Sequence, residues 1–220
     1  MMKRREVVGA AAALLALPTG WAQTTTPAQV QGQPPQVGRE YLALDRPAPV
    51  DAPAGQIEVV EFFWYNCPHC HAFEPTFDAW AKRAPKDVTV RRVPVAFRSD
   101  FQPQQRLYYA LEAMGLVGLL HAKVFHAIHV ERKRLEKPEV IIDWVAAQGV
   151  DKAKFTEQFN AFTTASKVTR ANQLTNAYRV EGVPAMGVAG RFYTDGSMAR
   201  GMEHVLQVVD YLVGQVRRGR

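Results

Sequence analysis

Residues 57–64 read Ile-Glu-Val-Val-Glu-Phe-Phe-Trp, and this run constrains the chain more than any other. It is nearly continuous in β-branched and aromatic residues, the pattern of a strand covered on both faces. The period then changes. From 67 to 84, Cys70, Phe73, Phe77, Trp80, Ala81 and Ala84 recur at helical spacing. Pro75 falls inside this helix and has no N–H for the carbonyl of His71, so a kink is expected there. Residues 88–97 return to strand character. Strand, helix and strand in that order predict a βαβ unit and a parallel sheet.

The remainder alternates in blocks. Tyr41–Leu44 reads as a short strand, ended by the proline-rich stretch 47–53. From about 101 to 178 the pattern is helical, with helices expected at 103–115, 117–130, 138–148, 151–161 and 163–180. Gly115, Pro138 and Gly149 punctuate them. Val183–Val188 reads as a strand, turned at Gly190 into Arg191–Tyr193 as a hairpin. A last helix is expected over 203–217. There is no internal repeat. The layout is α/β, a sheet domain interrupted by an all-helical insertion.

The N-terminus stands apart. Lys3, Arg4 and Arg5 precede an uncharged apolar run from Val7 to Leu17, and Gly20-Trp21-Ala22 fits a signal-peptidase site. Residues 1–22 are therefore expected to be a signal peptide cleaved after Ala22. The apolar run is too short to span a bilayer, which takes roughly 20 residues. Arg4-Arg5 raises twin-arginine export, but its surroundings match poorly and general secretion fits better. Residues 23–38, rich in Gln, Pro and Thr, read as a flexible leader. The full chain carries +6 on 220 residues, so loss of three basic residues and Glu6 leaves +4 on 198. No basic run with interleaved aromatics supports nucleic-acid binding. Arg217, Arg218 and Arg220 are expected to complement the negative end of the last helix.

Cys67 and Cys70 are the only cysteines. They cannot join distant parts of the chain, and they are too few for an all-cysteine zinc site. Both stand where the buried strand gives way to the helix. With Cys67 as N-cap, Pro68 occupies the first helical position, where its missing N–H costs nothing. Unpaired N–H groups and the positive end of the helix dipole favour thiolate there. His69 adds a further favourable charge, and Cys70, one turn in, is expected to be less exposed. Low thiolate pKa stabilises the reduced pair, so the disulfide becomes an oxidant.

Several readings compete for this segment. A passive disulfide closing so short a loop contributes only about 2 kcal/mol. Zinc lacks a second pair of ligands beside Cys67, His69, Cys70 and His71. Cys67-x-x-Cys70-His71 also matches the attachment signature of c-type haem. A buried strand in a βαβ pattern and the stiffening Pro68 argue for a thiol–disulfide redox pair instead.

Glu61-Phe62-Phe63, Cys67-Pro68-His69-Cys70 and Gly182-Val183-Pro184-Ala185 together resemble the DsbA family of periplasmic disulfide oxidases, over about residues 39–217. The resemblance implies a thioredoxin-like fold with an inserted helical domain: residues 39–98 and 171–220 form the thioredoxin-like part, 99–170 the insertion. It makes Cys67 the exposed nucleophile, Cys70 the buried partner and His69 the thiolate-stabilising histidine. Pro184 matches a cis-proline beside the active site, and Val183 would offer its backbone to an unfolded substrate. Glu61 would be a buried carboxylate assisting proton transfer, with raised pKa. Family members often pair it with a lysine. Here Arg91 and Arg92 occupy that region, and arginine holds its proton too firmly to act as an acid.

The resemblance further implies a periplasmic monomer that donates its disulfide to folding exported proteins. A quinone-linked membrane reoxidase of the DsbB type would restore it, with no metal or organic cofactor. An isomerase or reductase of the same fold is the alternative, although residues 23–56 look too short and Pro-rich for the dimerisation domain of exported isomerases. His121, His126 and His129 fall on expected helices. They read as partly exposed helix histidines more readily than as metal ligands. His71 either lines an apolar groove or sits on the outer face of its helix.

Overall fold

The computed structural model describes residues 33–219. The expected signal peptide, its cleavage after Ala22, the leader up to residue 32 and Arg220 lie outside the described residues. The end of the expected leader, 33–38, is tied to residues 40 and 41. Gly38 N donates to Tyr41 O at 2.7 Å and Gln36 N to Glu40 Oε2 at 3.0 Å.

The central strand is β2, Ile57–Phe63, and every one of its residues is buried. It leads into α1, Pro68–Arg83, which returns to β3, Val88–Pro94, parallel to β2 with Glu61 opposite Arg92. The expected βαβ unit is present. The sheet as a whole is mixed: β4 (Ala185–Val188) lies antiparallel to β2, and β5 (Phe192–Asp195) forms a hairpin with β4. A two-residue β1, Leu42–Ala43, pairs antiparallel with β5, giving the order β1-β5-β4-β2-β3. A hairpin can only run antiparallel, so the parallel expectation holds for the βαβ pair alone.

Between β3 and β4 run five α-helices: α2 (Gln102–Ala113), α3 (Val117–His129), α4 (Pro138–Ala147), α5 (Lys152–Asn160) and α6 (Phe162–Ala177). Their starts and stops follow local chemistry. Pro138 opens α4, and the Asp151 side chain caps α5 by accepting from Lys154 N at 2.9 Å. Gly115 and Gly149, at φ 69° and 87°, end the helices before them in a conformation that a side chain disfavours. The last helix of this set stops at 177 rather than 180 because Arg179 turns left-handed, at φ 54°. The chain closes with α7, Met202–Arg218.

Two cores flank the sheet. Ile57 and Val59 face Phe73, Phe77 and Trp80 of α1 and Val205, Val209, Leu212 and Val216 of α7. Val60 and Phe62 face the helical segment, with Tyr108, Phe125, Leu174 and Tyr178. The alternation of strand side chains divides Ile57, Val59, Val60 and Phe62 between the two cores, while Phe63, at the end of the strand, joins Val60 and Phe62 on the helical side; each fully buried side chain of this size contributes about 1.5–3 kcal/mol. The α1 stripe is as expected at Cys70, Phe73, Phe77 and Trp80, and half-buried at Ala81 and Ala84. Glu74 joins the buried face. The helix runs unbroken through Pro75, which is exposed. Trp80 Nε1 donates to Asp210 Oδ1 at 2.9 Å, tying α1 to α7. Arg217 and Arg218 lie in the last turn of α7, as expected, and Arg217 also has an acidic partner. Its guanidinium makes a two-pronged pair with Asp87 at 2.6 and 2.7 Å. Among the described residues no helix is long and apolar enough to cross a membrane.

Gly187 on β4 packs directly on Tyr178, whose hydroxyl accepts from Gly190 N at 2.9 Å. A Cβ at 187 would fall inside the contact distance of the Tyr178 ring. The ring is buried and held, so Gly187→Ala is expected to destabilise by about 1–3 kcal/mol in denaturant unfolding. An unchanged midpoint would mean that the ring moves freely.

Candidate active site

Cys67 occupies the N-cap of α1, with Pro68 as the first helical residue. Its Sγ accepts from Cys70 N at 3.4 Å and donates to Val183 O at 3.3 Å. The Val183–Pro184 peptide bond is cis, and Pro184 is buried beneath the turn. Residues 116 positions apart in sequence thus meet at one sulfur. Both cysteines are free thiols here, Cys67 7% exposed and Cys70 fully covered. Cys67 is therefore less open than expected, because the Val183 carbonyl lies against its sulfur.

The two sulfurs are electrostatically unequal. The Cys67 thiol is lowered to about 6, first by a hydrogen bond from the Cys70 side chain, then by the backbone N–H groups of Cys70 and His69, and last by the charge of His69; burial opposes them. The Cys70 thiol is pushed far up, first by burial, then by its bond to Cys67 and the charge on Cys67 and Glu61. Cys67 is the thiolate at neutral pH, and Cys70 keeps its proton. His69 itself is exposed. It stands between two open clefts of about 410 and 380 Å³, one beside Phe73 and His204 and the other beside Val183, Pro184 and Gly196. On the opposite side of the turn, Trp64 stacks on Phe101 at 3.8 Å.

Glu61 is 1% exposed, and it is one member of a buried polar cluster. Arg92 Nε lies 3.3 Å from Glu61 Oε2, and Arg92 Nη2 donates to Glu74 Oε1 at 2.6 Å. His121 Nε2 lies 3.3 Å from Glu74 Oε2, and His121 Nδ1 is 2.8 Å from the Tyr65 hydroxyl. Burial first, then the charge of Glu74, raise Glu61 well above the ordinary carboxylate range, against the pull of Arg92. Arg92 thus takes the position opposite Glu61. Arg91 points to the other face of β3 and pairs with Asp51 at 2.6 Å and Glu58 at 3.6 Å.

The histidines separate. His121 is buried, contrary to its expected exposure, because α3 turns it inward onto α1. His126 is exposed and pairs with Glu131 at 3.0 Å. His129 Nε2 bonds to Tyr65 O at 2.8 Å, and its ring stacks on that of His71 at 4.8 Å. Among the described residues no group of three or more His, Cys, Asp or Glu is placed to hold a metal ion.

Glu74 and Tyr65 were not singled out by sequence, and His121 was read as a partly exposed helix histidine rather than an inward one. Glu74 carried a signal, since it follows Cys70 by four residues and so shares its helix face. Tyr65 and His121 carried none.

The profile of the DSBA-like thioredoxin domain matches residues 58–213. The thiol:disulfide interchange protein DsbA of Bordetella parapertussis is 45% identical over 210 residues, covering 94% of this chain and 95% of that protein. The protein of the same name from Burkholderia cepacia is 40% identical over 190 residues, 86% of this chain and 90% of its own. The crystal structure of Pseudomonas aeruginosa DsbA superposes with a TM-score of 0.79 at 43% identity, over 83% of this chain and 94% of that one.

Thiolate absorbance of the reduced protein is expected to titrate with a midpoint near 6, against an ordinary value of 9.0. The depressed value stabilises the reduced fold fully above 9.0, progressively less as pH falls, and not at all below about 6. A midpoint near 9.0 would contradict the cap geometry.

Proposed function

The chain belongs to the DSBA-like thioredoxin domain family and is a thiol:disulfide oxidoreductase, and on that premise we propose that the Cys67–Cys70 disulfide is what it donates to folding exported proteins. The observation that carries this reading is the inequality of the two sulfurs, a capped thiolate at Cys67 and a covered thiol at Cys70.

A substrate thiolate attacks the Cys67 sulfur, forming a mixed disulfide and expelling Cys70 as thiolate, which takes up a proton. A second substrate thiolate attacks the substrate sulfur and expels Cys67. The substrate loses two electrons and the pair gains them. Cys67 leaves readily because its thiolate is already favoured by the helix end. The Val183 carbonyl at the Cys67 sulfur lies where an extended substrate segment would pair, and Pro184 supports it from below. His69 assists the thiolate by charge, a smaller influence than the backbone N–H groups. Pro68 starts the helix, and Glu61 exchanges the Cys70 proton.

The thiolate preference favours the reduced pair by at most about tenfold at pH 7, growing as pH approaches 9.0. The protein works as a periplasmic monomer, exported with residues 1–22 removed. Its reoxidation falls to a quinone-linked membrane partner of the DsbB type. Residues 39–98 and 171–220 act as the thioredoxin-like part, with 99–170 as the helical insertion.

Equilibration with glutathione buffers tests the direction of transfer. A disulfide markedly easier to reduce than that of thioredoxin, at about −270 mV, is expected. A value as reducing as thioredoxin's would overturn the oxidase reading. Cys70→Ser is expected to accumulate mixed disulfides through Cys67, and Cys67→Ser to form none. Equal trapping by both variants would overturn the division of roles.

A further inference from the structure

Residues 131–137, between α3 and α4, read Glu-Arg-Lys-Arg-Leu-Glu-Lys, four cations and two carboxylates within seven residues. All are exposed except Leu135, which is buried. Lys133 pairs with Glu131 at 2.8 Å and Arg134 with Glu136 at 3.4 Å. The surplus therefore falls on Arg132 and Lys137, whose side chains make no ion pair among the described residues. Arg132 stands at φ 59°. Glycine would make that turn with less strain, so what arginine adds there is reach and charge.

This loop is fastened to the turn that presents Cys67. Gln104, 2% exposed, donates through Nε2 to Asn66 Oδ1 at 2.7 Å and to Leu135 O at 2.8 Å. Asn66 Nδ2 donates to Glu136 Oε1 at 3.5 Å, and His129, at the end of α3, bonds to Tyr65 O. Glu136 and Lys137 line an open cleft of about 470 Å³ with Trp64, Asn66 and Arg98. Arg98 is paired with Asp100 and adds no net charge. Asn66 immediately precedes Cys67, so the positive loop flanks the reacting sulfur on this side.

The other side carries the opposite sign. Glu181 stands two residues before Val183. Asp195 lines the cleft of about 380 Å³ with Val183 and Pro184. Glu203 lines the cleft of about 410 Å³ beside His69 and His204, and Arg200 in that cleft is the cation set against these three carboxylates.

We propose that this difference of charge across Cys67 selects substrates by the order of charges along them. The favoured substrate is an extended cysteine segment with an acidic side chain on the flank over residues 131–137 and a basic one on the flank over the clefts around His69. This rests on the donor reading above and names its substrate class. An extended chain advances about 3.3 Å per residue, so side chains about three residues from the cysteine reach past the turn on either side. Charges at the rim of a site act on how fast and in which orientation partners meet, and salt weakens them. The sulfur chemistry is the same for every substrate: its sulfur bonds to Cys67 as the Cys67–Cys70 bond breaks.

The test uses the full mature protein in its disulfide form and two end-blocked peptides of identical composition, each with a single cysteine. One carries Glu about three residues before the cysteine and Lys about three residues after it, and the other carries them in reverse order. Both are neutral overall, so the protein's net charge attracts them equally. Formation of the mixed disulfide with Cys67 is followed by acid quenching and mass measurement. Each rate is divided by that peptide's rate with hydroxyethyl disulfide, an uncharged reagent that corrects for the reactivity of the peptide thiol. At about 0.01 M ionic strength, where the Debye length is about 30 Å, one order is expected to react several-fold faster than the other. At about 1 M, where it is about 3 Å, the two are expected to converge. Equal rates at low ionic strength overturn the proposal, and so does a difference that survives at high ionic strength. Arg132→Glu and Lys137→Glu are each expected to shrink the low-salt ratio, and a ratio unchanged in both overturns the assignment to this loop. If neither peptide forms a mixed disulfide, the donor reading itself fails and this inference falls with it.

Discussion

The bond from Cys70 N to Cys67 Sγ, at the first turn of α1, is the interaction on which the rest of the site depends. It makes a sulfur serve as the helix cap, a position that oxygen side chains usually fill. A cap that accepts from backbone N–H groups is stabilised by negative charge, so the same contact that starts the helix favours the thiolate. The strand before it supplies rigidity. All of β2 is buried, which leaves the Trp64–Asn66 turn little freedom in where it presents the cysteine.

The two sulfurs differ because the helix carries them to different depths. Cys67 stands at the cap, beside the Val183 carbonyl and the clefts around His69. Cys70 is one turn below, against β2 and the Glu61 cluster. Backbone dipoles set the first environment and burial the second. Closing and opening the bond therefore moves a proton at only one of the two sulfurs, and the buried charges lie on that side.

Much of this was legible along the chain. The switch from a continuous apolar run to helical spacing located β2 and α1, and the cysteine pair fell on their junction. The five inserted helices followed from periodicity punctuated by Gly115, Pro138 and Gly149. Burial was harder to read. Cys67 is more covered than its role suggested, and His121 faces inward although its neighbours His126 and His129 are exposed or half-exposed. A helix face can be assigned from sequence only where the apolar stripe is clear, and α3 carries apolar residues on several sides.

The sequence by itself determined the local chemistry: a thiol at a helix start, a proline compatible with that start, a strand needing cover on both faces. These depend on residues within a turn or two of each other. Tertiary structure alone decided that Val183 meets Cys67, that Arg92 rather than Arg91 takes Glu61, and that His121 reaches Glu74. Those contacts depend on strand register and on how α3 docks against α1. A shift of one residue in β3 would have exchanged the two arginines between the faces of the sheet.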